Sequence, residues 1–166
     1  MSIAVFAGSF DPFTAGHLDI VKRAAAHFDK LHVTVSPNPN KGKALFTWEE
    51  RMQLIRDAVA GLPNVVVDGF EGLLVDHCRA VGADVLLRSV RSGADVDYER
   101  QLETVNRSIE PAIETFYIFA RAEYAYISST LVRSLMAIGV DIAPLVPDGS
   151  HPIITKKLKE IASENS

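Results

Sequence analysis

Five short runs of β-branched, aliphatic and aromatic residues recur along the chain, each followed by a longer stretch whose apolar residues return with helical spacing. The runs are Ile3–Ala7, Leu31–Val35, Val65–Val67, Val85–Leu87 and Phe116–Phe119. The helical stretches are residues 15–27, 47–60, 72–81, 94–109, 129–138 and 152–163. Strict alternation of this kind leaves few solutions. Parallel strands need long crossovers, the crossovers are right-handed, and helices then cover both faces of the sheet. The expected fold is therefore α/β: a single-domain, doubly wound, Rossmann-like five-stranded parallel sheet with helices on both faces. One domain is expected over residues 1–162, with residues 163–166 a polar, frayed tail. Ligands of such sheets bind outside the carboxyl ends of the strands, so the loops that follow strands are the ones to read for function.

Composition narrows the partners. The 166 residues are 48% hydrophobic, enough for a sizeable core, and carry a formal net charge of −4. No overall basic field exists to gather a polynucleotide, so no nucleic-acid partner is expected. An anionic ligand must be held by local cations and backbone amides. The single cysteine, Cys78, excludes an internal disulfide, and no apolar run is long enough for a membrane span. These features predict a soluble, cytoplasmic chain without membrane contact. Dinucleotide, P-loop, zinc-protease and serine-hydrolase signatures are all missing.

The first post-strand loop is the most informative. It reads Ala7-Gly8-Ser9-Phe10-Asp11-Pro12-Phe13-Thr14-Ala15-Gly16-His17 and leads into an amphipathic helix. Gly8 allows close backbone approach, Thr14 suits an N-cap, and the amides of the first helical turn suit a phosphate. Gly16 leaves room for a ligand, and His17 can donate to a phosphoryl oxygen. After the second strand, Ser36-Pro37-Asn38-Pro39-Asn40-Lys41-Gly42-Lys43 places two lysines in a loop that ends at the capping box Thr47-Trp48-Glu49-Glu50. After the fourth, Arg88 and Arg91 flank Ser89 and Val90, and two guanidiniums there can clamp different phosphates. Before the fifth helix, Ser128, Ser129 and Thr130 offer a cap and a second set of helix-terminal amides.

Ser9-Phe10-Asp11-Pro12-x-Thr14-x-Gly16-His17 resembles the Ser/Thr-Phe-Asp-Pro-x-Thr-x-Gly-His signature of the small adenylyltransferases in the nucleotidyltransferase superfamily. Close versions of that signature occur in nicotinate-nucleotide adenylyltransferases and cytidylyltransferases. Arg88-Ser89-x-Arg91-x-x-x-Asp95-x-Asp97-Tyr98-Glu99-x-Gln101-x-x-x-x-Asn106 and Ile127-Ser128-Ser129-Thr130-x-x-Arg133 are similar to stretches of the phosphopantetheine adenylyltransferases. Ser89 stands where that family usually has glycine, and Asp97 where it has glutamate. The resemblance extends over nearly the whole chain.

Membership of that family would imply transfer of adenylyl from ATP to 4′-phosphopantetheine, giving dephospho-coenzyme A and pyrophosphate without a covalent intermediate. It implies Mg²⁺ arriving with ATP, coenzyme A as a feedback ligand and a homo-hexamer. By the same correspondence His17, Lys41 and Arg91 are catalytic. Ser9, Phe10, Gly16, Ser89, Val90, Glu99, Tyr124, Ala125, Tyr126, Ile127, Ser128, Ser129 and Thr130 join His17 and Arg91 at ATP. Ser9, Lys41, Leu74 and Arg88 hold the acceptor, Lys43 being an alternative to Lys41. A nicotinate-nucleotide-type adenylyltransferase and a non-catalytic nucleotide-binding module are the competing readings. Asp11 is not expected to ligate metal. His27, His32, His77 and His151 are irregularly spaced, and no metal ligands are assigned.

Overall fold

A computed structural model describes residues 1–37 and 42–164 of the chain. Its order of elements is β1 (Ile3–Gly8), α1 (Ala15–Ala25), β2 (Lys30–Val35), α2 (Trp48–Val59), β3 (Val65–Gly69), α3 (Leu74–Val81), β4 (Val85–Val90), α4 (Gly93–Ile109), β5 (Glu114–Phe119), α5 (Ser129–Ala137) and α6 (His151–Glu164). The strands form one parallel sheet in the order β3-β2-β1-β4-β5. The expected doubly wound architecture is thus present. β4 runs three residues past Leu87, which places Arg88 and Ser89 inside the strand rather than after it. The last helix reaches Glu164, so Ser163 is helical.

Burial explains why β1, β2 and the start of β4 read as continuous apolar runs. A sheet covered on both faces has no polar side to alternate with. One face packs Ala4, Phe6, Val33, Val35 and Leu87 against Ile20, Val21 and Ala24 of α1, Leu54 and Ile55 of α2, and Val132 and Met136 of α5. The other packs Ile3, Val5, Ala7 and Leu86 against Val75 and Cys78 of α3. Burial pushes the Cys78 thiol up to about 11, which makes it an unreactive packing group at neutral pH. α4 lies on the same side as α3 but buries none of its residues fully.

Strand order creates the crevice. The chain builds outward from β1 to β2 and β3, then crosses back to add β4 on the other edge of β1. Crossovers leaving β1 and β4 diverge, and their carboxyl ends flank an open groove. Capping fixes where the helices enter it. Thr14 Oγ1 accepts from His17 N at 3.3 Å, Ser92 from Asp95 N at 3.3 Å, and Ser128 from Leu131 N at 3.1 Å.

The expected box at Thr47 also forms, with Glu50 as its reciprocal acceptor. It sets Trp48 against the end of β3. A Cβ on Gly69 would stand 2.5 Å from Trp48 Cζ2. Replacing Gly69 by Ala must therefore displace the indole, and a loss of about 1–3 kcal/mol is expected from urea denaturation; an unchanged midpoint would show that the indole has room to move.

Candidate active site

Three chambers that share walls run from the carboxyl edge of the sheet to the face beneath α4. The first holds about 200 Å³ between the starts of α1, α4 and α5; its walls include Gly16, His17, Ser89, Arg91, Glu99, Tyr124, Ile127, Ser128, Ser129 and Thr130. A middle chamber of about 120 Å³ is walled by Gly8, Ser9, Phe10, His17, Arg88, Ser89, Glu99 and Ser129. The third, about 190 Å³, lies between Leu74, Leu86, Arg88, Leu102, Glu103, Asn106 and Thr115. Glu99 borders all three. The first is polar and faces two helix N-termini, where amides and the helix dipole favour anions. The third combines the side chains of three leucines with a polar and charged rim.

His17 is oriented by the backbone. Thr14 N donates to His17 Nδ1 at 3.0 Å, a capping box in which imidazole takes the place usually held by a glutamate or glutamine. With Nδ1 used as an acceptor, the neutral ring carries its proton on Nε2. The ring is further held edge-on by Phe10, with centroids 5.0 Å apart, and tilted against Phe13 at 5.4 Å. Phe10 itself has a left-handed φ of 44° and is 2% exposed. Its ring also packs on Phe6 and Phe13, which holds a backbone conformation that is unfavourable outside glycine. Gly8 answers to the same ring: a Cβ there would meet Phe10 at 3.0 Å. A side chain at Gly8 is thus opposed by Phe10, while Gly8 itself borders the middle chamber.

Arg88 forms a two-pronged pair with Glu99, Nε and Nη2 each donating at 2.7 Å, and its Nη1 reaches the Ala7 carbonyl at 3.3 Å. Among the described residues these bonds engage three of the five guanidinium protons, and two remain for a ligand. Arg91 pairs with Asp95, whose carboxylate also accepts the Arg91 amide at 2.9 Å. Both guanidiniums are thereby fixed by acids of α4, with Arg88 the more buried. Ser89 sits in regular strand geometry, without the positive φ that would have demanded glycine. Ser129 Oγ donates to the Pro12 carbonyl at 2.9 Å, tying α5 to the first loop.

Of the residues read from sequence, Ser9, Phe10, Gly16, His17, Arg88, Ser89, Arg91, Glu99, Tyr124, Ile127, Ser128, Ser129 and Thr130 converge on the first two chambers. Leu74 falls in the third. Val90, Ala125 and Tyr126 do not line the crevice; Val90 is fully buried and Tyr126 is exposed. Lys41 lies outside the described residues. Lys43 borders a separate cavity beside Arg133 and Lys157.

Three residues without an assigned role hold the first loop in place. Asp11 is 5% exposed and its carboxylate accepts the amides of Leu45 at 3.0 Å and Phe46 at 2.8 Å. Arg133 of α5 donates to the Asp11 carbonyl and lies 3.5 Å from its carboxylate. Arg51 of α2 donates to the Ser9 carbonyl at 2.8 Å. Arg51 was detectable as a cation on the apolar stripe Arg51, Leu54, Ile55, Val59 of its helix. The walls Leu86 and Leu102 had no signal distinguishing them from ordinary core.

The profile of the cytidylyltransferase-like family matches residues 5–135. The fold is similar to that of a bifunctional NMN adenylyltransferase/ADP ribose pyrophosphatase from Francisella tularensis, with a TM-score of 0.72 and 19% identity over 99% of this chain. The chain spans about half of that protein, 53% of its length. It is similar also to a candidate nicotinate-nucleotide adenylyltransferase from Vibrio parahaemolyticus, with a TM-score of 0.66 and 20% identity, covering 96% of this chain and 93% of the other. At these identities the likeness is one of fold.

Replacing Asp11 by Ala strips two amides and Arg133 of a buried carboxylate. A loss of about 3 kcal/mol is expected in chemical denaturation; a loss below about 0.5 kcal/mol would mean that water satisfies those donors just as well.

Proposed function

The chain belongs to the cytidylyltransferase-like family, and we propose that within this nucleotidyltransferase group it moves adenylyl from ATP to 4′-phosphopantetheine, releasing pyrophosphate and dephospho-coenzyme A. The observation that carries this reading is the change in character along the crevice: beyond the polar chamber at the starts of α1 and α5, and sharing Arg88 with the middle chamber, lies one whose surface is mainly that of Leu74, Leu86 and Leu102. A triphosphate suits the first. An acceptor with a phosphate at one end and an extended, partly apolar arm suits the other two. Among the described residues the walls of the third chamber are aliphatic and polar, with no aromatic face on which the base of a nucleotide acceptor would stack. That favours phosphopantetheine over a nicotinate nucleotide.

The chemistry asks little of the protein. A phosphate monoester has a second pKa of about 6, so the acceptor is already a dianion at neutral pH and no general base is needed. Its oxygen attacks the α-phosphorus, and the bond to the pyrophosphate oxygen breaks in line. The site supplies alignment and charge. His17 Nε2–H donates to the phosphoryl oxygen on which charge develops, and Arg91 and the α5 amides hold the β- and γ-phosphates. Arg88 and Ser9 hold the acceptor phosphate, with Leu74, Leu86 and Leu102 around its arm. Magnesium would arrive with ATP as part of the substrate and would supply charge that eases the departure of pyrophosphate. Asp11 is spent on the 45–46 amides and Arg133, while Asp95 and Glu99 are paired with arginines. This donor set suits an ion coordinated mainly by phosphates and water.

Pyrophosphate release from MgATP with 4′-phosphopantetheine, and separately with nicotinate mononucleotide and NMN, tests the assignment. Turnover with 4′-phosphopantetheine is expected, and turnover with a mononucleotide alone would overturn it. Replacing His17 by Ala is expected to lower turnover by roughly 10²–10³ while costing about 1 kcal/mol of stability through the lost cap; a near-normal rate in the folded variant would remove His17 from the chemistry. Arg88→Ala is expected to weaken the acceptor more than ATP by calorimetry, and equal losses would contradict its placement.

A further inference from the structure

Two histidines far apart in sequence, His32 on β2 and His77 on α3, meet across Asp68 at the end of β3. His32 Nδ1 is 2.6 Å from Asp68 Oδ2, and His77 Nε2 is 3.4 Å from Asp68 Oδ1. The fully buried Thr34 hydroxyl donates to Asp68 Oδ1 at 2.7 Å and lies 3.2 Å from His77 Nε2. The His77 ring is stacked on Phe70 with centroids 4.9 Å apart, which fixes its direction. All these groups interrupt the otherwise aliphatic face that α3 covers. None of them lines the crevice.

An ionised carboxylate on such a face needs positive charge. Among the described residues no lysine or arginine pairs with Asp68; the two imidazoles are its ion-pair partners. From the three ligand atoms, all within 4.8 Å of one another, we infer that His32, Asp68 and His77 form a binding site for one divalent transition-metal ion of the zinc type. Imidazole and carboxylate together suit that class. The separation of Asp68 Oδ1 and His77 Nε2 already equals the edge of a tetrahedron with metal–ligand bonds of ~2.1 Å. The closer His32–Asp68 pair widens when the ion replaces the proton between them. Asp68, whose side chain is 26% exposed, is the open side through which the ion and a water reach the site. The ion joins β2, β3 and α3, so it pins the helix one turn beyond Leu74.

The test is titration of the tag-free, metal-stripped full chain with Zn²⁺ by calorimetry, and with Co²⁺ by visible absorption. One Zn²⁺ per chain is expected, with Co²⁺ giving the intense bands of a tetrahedral site. Asp68→Asn and His77→Phe, checked for folding by circular dichroism, are each expected to weaken Zn²⁺ by at least ~100-fold. Absence of binding, or unchanged affinity in folded Asp68→Asn, would overturn the site and leave a hydrogen-bonded cluster only. Imidazole NMR of the unaltered chain decides independently of any variant. One equivalent of Zn²⁺ must shift the His32 and His77 resonances, and shifts confined to His17, His27 or His151 would refute the proposal.

Discussion

The central position of β1 is the constraint on which the rest of this molecule depends. It is paired in parallel on both edges, with β2 on one side and β4 on the other. A strand so placed must be apolar on both faces, and every residue from Ile3 to Ala7 is buried. Loops leaving β1 and β4 then part in opposite directions, and the gap between them is the only consequence topology needs in order to make a binding crevice. Side-chain chemistry decides what enters it.

Holding the walls of that gap in register takes more than packing. The first loop carries Ser9, Phe10 and His17 into the crevice, and it is clamped from three directions. Arg51 takes the Ser9 carbonyl, Arg133 the Asp11 carbonyl, and the Asp11 carboxylate the amides of residues 45 and 46. The acids of α4 do the same for Arg88 and Arg91. Charges placed beforehand need no reorganisation when an anionic group arrives, which is what the proposed transfer asks of this site.

Much of this was legible in the amino-acid order because the relevant signals are local. Strand runs, caps at Thr14, Thr47 and Ser128, and the glycine-opened first turn each depend on neighbours within a few positions. The crevice walls supplied by Arg88, Ser89, Arg91 and the 128–130 hydroxyls were legible for a different reason: they lie among the last residues of a strand, just after it or at a helix start, and topology gathers such positions at one edge. What was hidden depends on contacts distant along the chain. Asp11 sits 34 residues from its amide partner Leu45, and no local pattern announces it as a structural acceptor. Gly8 borders the middle chamber, in keeping with close backbone approach, but Phe10 as the ring opposing a side chain there is visible only in the tertiary packing. His32 and Thr34 carried a readable trace, two polar residues on one side of a strand otherwise made of Leu31, Val33 and Val35. Their partners Asp68 and His77 are joined to them only by sheet register and by the docking of α3.

In the proposed transfer one nucleotide is held by two helix starts at once. Amide NMR of the isotopically labelled chain, titrated with a non-hydrolysable ATP analogue and Mg²⁺, reads this directly. Joint perturbation of residues 14–18 and 128–131, together with the end of β4, is the predicted result; perturbation of one helix start with the other unmoved would contradict it.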